Sequence, residues 1–197
     1  MTAAIVLAAG ASTRLGRPKQ LVTIDGESLL ARSIRVAFES GVDAVYAVLG
    51  AHADELRPQL ADTRAVPVLN PDWQQGMATS IRAGINAALA AQSQLEAIAL
   101  LACDQPAATG FHLLRLQLLA ADAPARIAAS TYAGITGVPA VFPRDYFSEL
   151  LALTGDSGAR SILAAHTAHV ATLPLMHGEL DCDTPESLAA IHRIWPA

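Results

Sequence analysis

Apolar-rich runs recur along the chain, separated by stretches whose apolar positions fall at helical spacing. The runs at 3–8, 43–49, 65–69, 95–102, 126–131, 137–142 and 170–175 predict strands. A short extended piece is expected at 21–25. Over 28–39, Leu29, Leu30, Ser33, Ile34 and Ala37 form one stripe that Gly41 stops, which predicts a helix. Further helices are predicted over 53–60, 76–90 and 110–121, and two short ones flank 155–160. Thr184 as cap and Pro185 at the first helical position open a last helix through Ile194. Strand and helix alternate almost throughout, the pattern of a three-layer α/β sandwich with a mostly parallel sheet. No repeat, low-complexity tract or linker divides the chain, so 1–197 is read as one domain.

Composition narrows this picture. A chain of 197 residues is long enough for one real core. Its hydrophobic content of 52% is high, but much of it is alanine, and no uncharged apolar run approaches membrane-spanning length. No positive region precedes the first short apolar run, which reads as a strand rather than a signal peptide. The net charge of −5 argues against nucleic acid as the main partner, although local cations can still bind a small anion. Two cysteines make no disulfide framework. The expectation is a cytoplasmic protein with neither membrane nor nucleic acid as partner.

Candidate chemistry begins where the first strand ends, in LAAGASTRLGRPKQL from Leu7 to Leu21. Gly10, Gly16, Ala11 and Ser12 would let backbone N–H groups approach an anion unobstructed. Arg14, Arg17 and Lys19 supply charge where phosphate oxygens would sit. The spacing of Gly10 and Gly16 is not that of a dinucleotide fingerprint. Lys19 is not placed as in a P-loop either. Taken alone, the stretch is either a triphosphate cradle or a plain turn.

Two more polar groups follow later strands, and ligands of open α/β sheets bind at such strand ends. One is NPDWQQGMATSIRAG from Asn70, the other CDQP with Asp104. By itself Asp104 reads as a turn or cap residue sooner than as a ligand, and its functional reading depends on a partner. Asp183, in DCDTPES, is its partner candidate, because two carboxylates from distant segments suit Mg²⁺. Asp181 is a further candidate for the same ion. Trp73 could stack on a base or simply pack, and Arg82 could reach phosphate or solvent. Arg160 could bind an acceptor or pair with Asp156 four residues earlier. His166 and His169 read as a solvated face.

The pattern G-x-S-x-R-L-G-x-P-K, from Gly10 to Lys19, resembles the opening of nucleotidyltransferases related to the molybdenum cofactor enzymes and the sugar-phosphate nucleotidyltransferases. In that family the loop wraps the triphosphate and the lysine stabilises charge on it. LAAG in place of LAGG is similar to the cytidylyl branch. So is the frame of Asn70, Pro71, Gly76, Ser80 and Gly84, and GVPAVF and GDSGAR match further blocks. The resemblance covers nearly the whole chain. It implies a Rossmann-like nucleotidyltransferase fold of the GT-A-like type, using CTP, Mg²⁺ and a phosphorylated pterin acceptor. A client molybdoenzyme or its maturation factor is an implied partner. Carried over by motif, Lys19, Arg14 and Asp104 are catalytic, and Asp104 and Asp183 hold the metal. Leu7, Ala8, Ala9, Gly10, Ala11, Ser12, Asn70, Gly76, Ser80, Arg82 and Arg160 bind substrate.

Two other readings stay open. One is a transferase using GTP or another NTP with a different phosphorylated acceptor, such as a sugar phosphate. The other is a carrier that keeps the fold and delivers a nucleotide cofactor without turnover. Both aspartates together with Lys19 favour an enzyme. Cys103 and Cys182 each precede a metal candidate, so strand alternation predicts two thiols turned away into the core. Oxidation of the pair, switching activity off, is the sharper reading of those cysteines.

Overall fold

The structure, a computed structural model, describes residues 1–123 and 125–196. In chain order its strands are β1 (Thr2–Ala8), β2 (Thr23–Ile24), β3 (Glu27–Ser28), β4 (Ala44–Leu49), β5 (Val66–Leu69), β6 (Ala97–Ala102), β7 (Ile127–Tyr132), β8 (Ile135–Pro143) and β9 (Val170–Pro174). The helices are α1 (Leu29–Glu39), α2 (Ala53–Leu56), α3 (Met77–Ala91), α4 (Gly110–Ala121), α5 (Phe147–Ala152), α6 (Arg160–Ala165) and α7 (Pro185–Ile194).

β1 carries no charge, and its interior residues are buried on both faces, so it sits inside the sheet. The seven-stranded order is β5-β4-β1-β6-β8-β7-β9. β1 pairs in parallel with β4 and β6, β4 with β5, and β7 with β9. β8 runs against both of its neighbours. β2 and β3 form a separate small hairpin.

Alternation along β1 divides the core. Val6 packs with Leu30 and Ile34 of α1 and with Leu113 and Leu116 of α4 on one face. Ile5 packs with Ile81 and Ile85 of α3, Phe142 of β8 and Leu150 of α5 on the other. This is the expected three-layer α/β sandwich, and no helix among the described residues is long and apolar enough to cross a membrane. At Gly84 a Cβ would lie 2.5 Å from Ile5 Cγ2. That position is glycine because α3 rests its backbone on β1.

Boundaries differ from expectation where local chemistry intervenes. The helix predicted over 53–60 is broken: α2 ends at Leu56, and a 3₁₀ turn takes over at Arg57–Leu60. Pro58 cannot donate an amide to continue the α ladder. α7 starts as read, with Thr184 accepting from Ser187 N–H and Ser187 Oγ accepting from Thr184 N–H.

Candidate active site

The chain runs from β1 outward to β4 and β5, then returns past β1 to β6. That reversal leaves a crevice beyond the carboxyl ends of β1 and β6, where open sheets bind ligands. A cavity of about 750 Å³ opens there. Its walls are the loop after β1, the turn after β6, the segment before α3, the start of β8, and the stretches leading into α6 and α7.

The loop after β1 supplies Ala8, Ala9, Gly10 and Ala11 to the wall. A Cβ at Gly10 would meet nothing, so that side of the loop is open space. Ser12 takes the left-handed conformation, with φ 54°, and the chain turns back through it. Its carbonyl accepts from the N–H groups of Leu15 and Gly16, each at 3.1 Å. Its Oγ accepts from the N–H of Lys19 at 3.0 Å. The turn thereby delivers Lys19 to the crevice.

Lys19 Nζ donates to Asp183 Oδ1 at 2.7 Å and also to Asp104. Arg14 Nη2 donates to the other oxygen of Asp183 at 2.7 Å. The two aspartate segments are stitched by backbone as well, since the N–H of Cys182 donates to the carbonyl of Asp104 at 3.0 Å. Burial works against the charge on Lys19, but the carboxylates of Asp104 and Asp183 outweigh it and hold the lysine above its ordinary range. Burial likewise opposes ionisation of Asp183, and hydrogen bonds and charge from Lys19 and Arg14 win, holding it below the usual carboxylate range. Asp181 is pushed up to about 6 by desolvation, then by the charges of Asp104 and Asp183. Its side chain sits at the exposed rim, where water weakens both causes.

This donor set fits a divalent ion. The lysine ammonium marks a point where Asp104 and Asp183 converge on one cation. Among the described residues no three His, Cys, Asp or Glu side chains group closely enough to hold a metal alone. Two carboxylates completed by phosphate oxygens and water are what Mg²⁺ accepts.

The structure separates the remaining candidates. Gly76, Ser80 and Arg160 line the cavity, as does Trp73. Arg160 forms no ion pair with Asp156 among the described residues, and both side chains belong to the wall. Asn70 departs from expectation. It is buried behind the wall, donating to Thr79 Oγ1 at 2.9 Å and Ser80 Oγ at 3.0 Å while accepting from the N–H of Asp72. It braces the turn before α3 and touches the cavity only through Ser80. Arg82 departs too, because its guanidinium donates to the Leu153 carbonyl at 2.6 Å and clamps α3 to the segment after α5. The Ser12 side chain is turned to Lys19, whose N–H it accepts, and does not line the wall.

His166 pairs with Glu149 at 2.8 Å. Both thiols are buried, Cys103 under the α1 face and Cys182 in a small cluster with Val22, Leu29 and Leu188. Desolvation pushes Cys103 far up and Cys182 up to about 11, so both are poor nucleophiles.

Gln20, Gln105 and Tyr132 also line the wall, outside the candidates that the sequence suggests. Gln20 is fully buried and donates to the carbonyls of Ala8 and Gly10. Gln105 donates to Tyr132 Oη and the Gly178 carbonyl, both at 3.2 Å. A glutamine between a cation and an apolar run, as in Lys19-Gln20-Leu21, was the available signal for the first. For Tyr132 there was none.

An open sheet with a small-residue loop, a lysine and paired carboxylates at its switch point is the layout of a nucleotidyltransferase. The chain belongs to the family of the MobA-like NTP transferase domain, whose model matches residues 4–170, and it is a nucleotidyltransferase. It is 30% identical to the purine catabolism protein PucB of Bacillus subtilis, over 96% of this chain and 95% of that one. It is 33% identical to the nicotine blue oxidoreductase of Paenarthrobacter nicotinovorans, over 81% and 79%. To the molybdenum cofactor cytidylyltransferase of Escherichia coli it is 31% identical, over only 42% and 43%. The crystal structure of Rv0371c from Mycobacterium tuberculosis in complex with manganese superposes with a TM-score of 0.77 at 28% identity, over 96% and 97%.

Proposed function

We propose that this protein is a Mg²⁺-dependent cytidylyltransferase acting in the cytoplasm. It moves CMP from CTP to the phosphate of molybdopterin or its molybdenum-loaded form, and releases pyrophosphate. The observation that carries the reading is Lys19, held between Asp104 and Asp183 under an open glycine loop. LAAG in the loop and the partial likeness to a cytidylyltransferase favour CTP. The manganese complex of a relative favours a divalent metal.

In this mechanism the N–H groups of the loop bind the triphosphate. The acceptor phosphate oxygen attacks the α-phosphorus, the bond from that phosphorus to the bridging oxygen breaks, and pyrophosphate leaves. No covalent enzyme intermediate is needed, so alignment and charge neutralisation carry the rate. Lys19 and Arg14 offset negative charge growing on the transferred and leaving phosphates. Held by Asp104 and Asp183, a divalent ion would neutralise phosphate charge and orient the attacking and leaving oxygens. Across the cavity, Arg160 and Tyr132 border Gly137, where a Cβ would lie 2.5 Å from Tyr132 Oη. That wall receives the acceptor.

A second reading is the same transfer chemistry with GTP or another phosphorylated acceptor, since the relatives matched over most of the chain, a purine catabolism protein and a nicotine blue oxidoreductase, are not named for cytidylyl transfer. A matrix of NTPs against acceptors, read by pyrophosphate release, separates the two. CTP with molybdopterin should give the fastest release below saturation. Faster release with GTP overturns the base, faster release with a sugar phosphate overturns the acceptor, and no release with any pair favours a cofactor carrier. A client molybdoenzyme or its maturation factor would take the product.

A further inference from the structure

Each carbonyl from Ala8 to Ser12 accepts a hydrogen bond from the protein. Backbone holds two of them: Ala51 N–H donates to Ala9 at 3.1 Å, and the Ser12 carbonyl is held as described above. Side chains hold the other three. Gln20 Nε2 donates to Ala8 at 2.8 Å and Gly10 at 2.9 Å, spending both of its protons. His52 Nε2 lies 3.1 Å from the Ala11 carbonyl, an acceptor only, so that nitrogen carries the ring proton.

In a trans peptide the N–H points opposite to the C=O. With the carbonyls of Ala9, Gly10 and Ala11 tied back, the N–H groups of Gly10, Ala11 and Ser12 point the other way. Among the described residues those three donate to no protein acceptor. Gln20 is fully buried, and its Oε1 faces Ser12 Oγ at 3.4 Å, the hydroxyl that also receives the Lys19 N–H. One buried amide thus links the loop to the segment that carries the lysine.

We propose that Gln20 is the positioning residue for triphosphate binding, fixing the peptide planes so that the loop presents N–H groups to the cavity, with His52 as its weaker counterpart. The inference rests on the reading that a triphosphate occupies this loop. It explains the residue type: Met has the length but no proton, and Glu offers carboxylate oxygens to two carbonyls and adds charge beside the phosphates.

The test compares the intact protein with Gln20→Met, Gln20→Glu and His52→Ala. Inorganic tripolyphosphate is the probe, followed by calorimetry and by backbone ¹⁵N–¹H shifts, alongside steady-state kinetics. In the unaltered chain tripolyphosphate should shift the amides of Gly10, Ala11 and Ser12. Gln20→Met should weaken tripolyphosphate at least about tenfold, with Gln20→Glu weaker still. KM for CTP should rise while KM for the acceptor stays unchanged, a split that general loosening of the fold would not give. His52→Ala, at a partly exposed position, should move in the same direction by less, and it decides the matter if the buried variants fail to fold. Tripolyphosphate binding by folded Gln20 variants within error of the unaltered chain overturns the role of Gln20. Should those variants not fold, unchanged binding by His52→Ala overturns the proposal. No amide shift in the unaltered chain overturns the triphosphate reading itself, and the positioning role with it.

Discussion

Lys19 and Asp183 are separated by 164 positions in the chain, and Nζ of the first donates to Oδ1 of the second at 2.7 Å. The same ammonium donates to Asp104, so one cation ties the loop after β1 to the turn after β6 and the lead into α7. In the proposed mechanism Lys19→Ala removes the charge that faces the phosphates. Turnover should fall by roughly 1.5–3 kcal/mol in barrier, about ten- to a hundredfold. Steady-state pyrophosphate release measures it, and an unchanged rate removes Lys19 from the mechanism.

Asp104→Asn keeps the shape of the side chain and its backbone carbonyl, which the Cys182 N–H uses. The fold should therefore survive while one of the two carboxylates proposed to hold the metal is lost. Mn²⁺ binding, read by electron paramagnetic resonance, should weaken, and turnover should drop at least about a hundredfold. Full Mn²⁺ affinity in this variant would place the metal elsewhere.

Gly76 has φ 107°, and a Cβ there would lie 2.3 Å from the backbone C and O of Gly155. Neither backbone can move without shifting a wall of the cavity, since Met77 and Asp156 both line it. Gly76→Ala should destabilise the chain by roughly 1–3 kcal/mol and raise KM for CTP. Urea denaturation and kinetics check it together, and unaltered values in both would show that the two segments part easily.

His112 lies buried under β7, with Nε2 2.8 Å from Ser130 Oγ. Desolvation, then the charge of Arg115, pushes it down to about 4 from an ordinary 6.5. A base depressed in the folded state binds its proton more readily when unfolded. Stability is therefore complete above 6.5 and is lost as pH falls toward 4, by up to roughly 3 kcal/mol. His112→Gln keeps a partner for Ser130 and removes the titration. Urea midpoints near neutrality and at about pH 5 should differ less in the variant. An equal slope would assign the acid sensitivity to other groups.

The sheet and most helices were legible because burial on two faces leaves uncharged runs, and surface helices leave stripes. The split at Pro58 was readable too, since a proline inside a helical pattern forbids the next α hydrogen bond. Candidate residues were legible where chemistry is local: the glycines and lysine of one loop, an aspartate after an apolar strand, and another just before a helix cap. Asn70 and Arg82 were harder, because a polar side chain near a strand end serves the cavity or the scaffold equally well. Only the tertiary position of Thr79, Ser80 and the Leu153 carbonyl decides between those uses. Gln20 lies in the loop stretch itself, next to Lys19, whereas Tyr132 reaches the cavity from a segment whose own sequence gives no period or motif for it.

Transfer at the α-phosphorus is tested most directly by label tracing. CTP carrying ³²P at the α position is incubated with the protein, Mg²⁺ and molybdopterin. Label should move into the pterin product in step with unlabelled pyrophosphate, and Asp104→Asn should abolish both. Label that stays in the nucleotide, with no pyrophosphate released, would contradict nucleotidyl transfer to this acceptor.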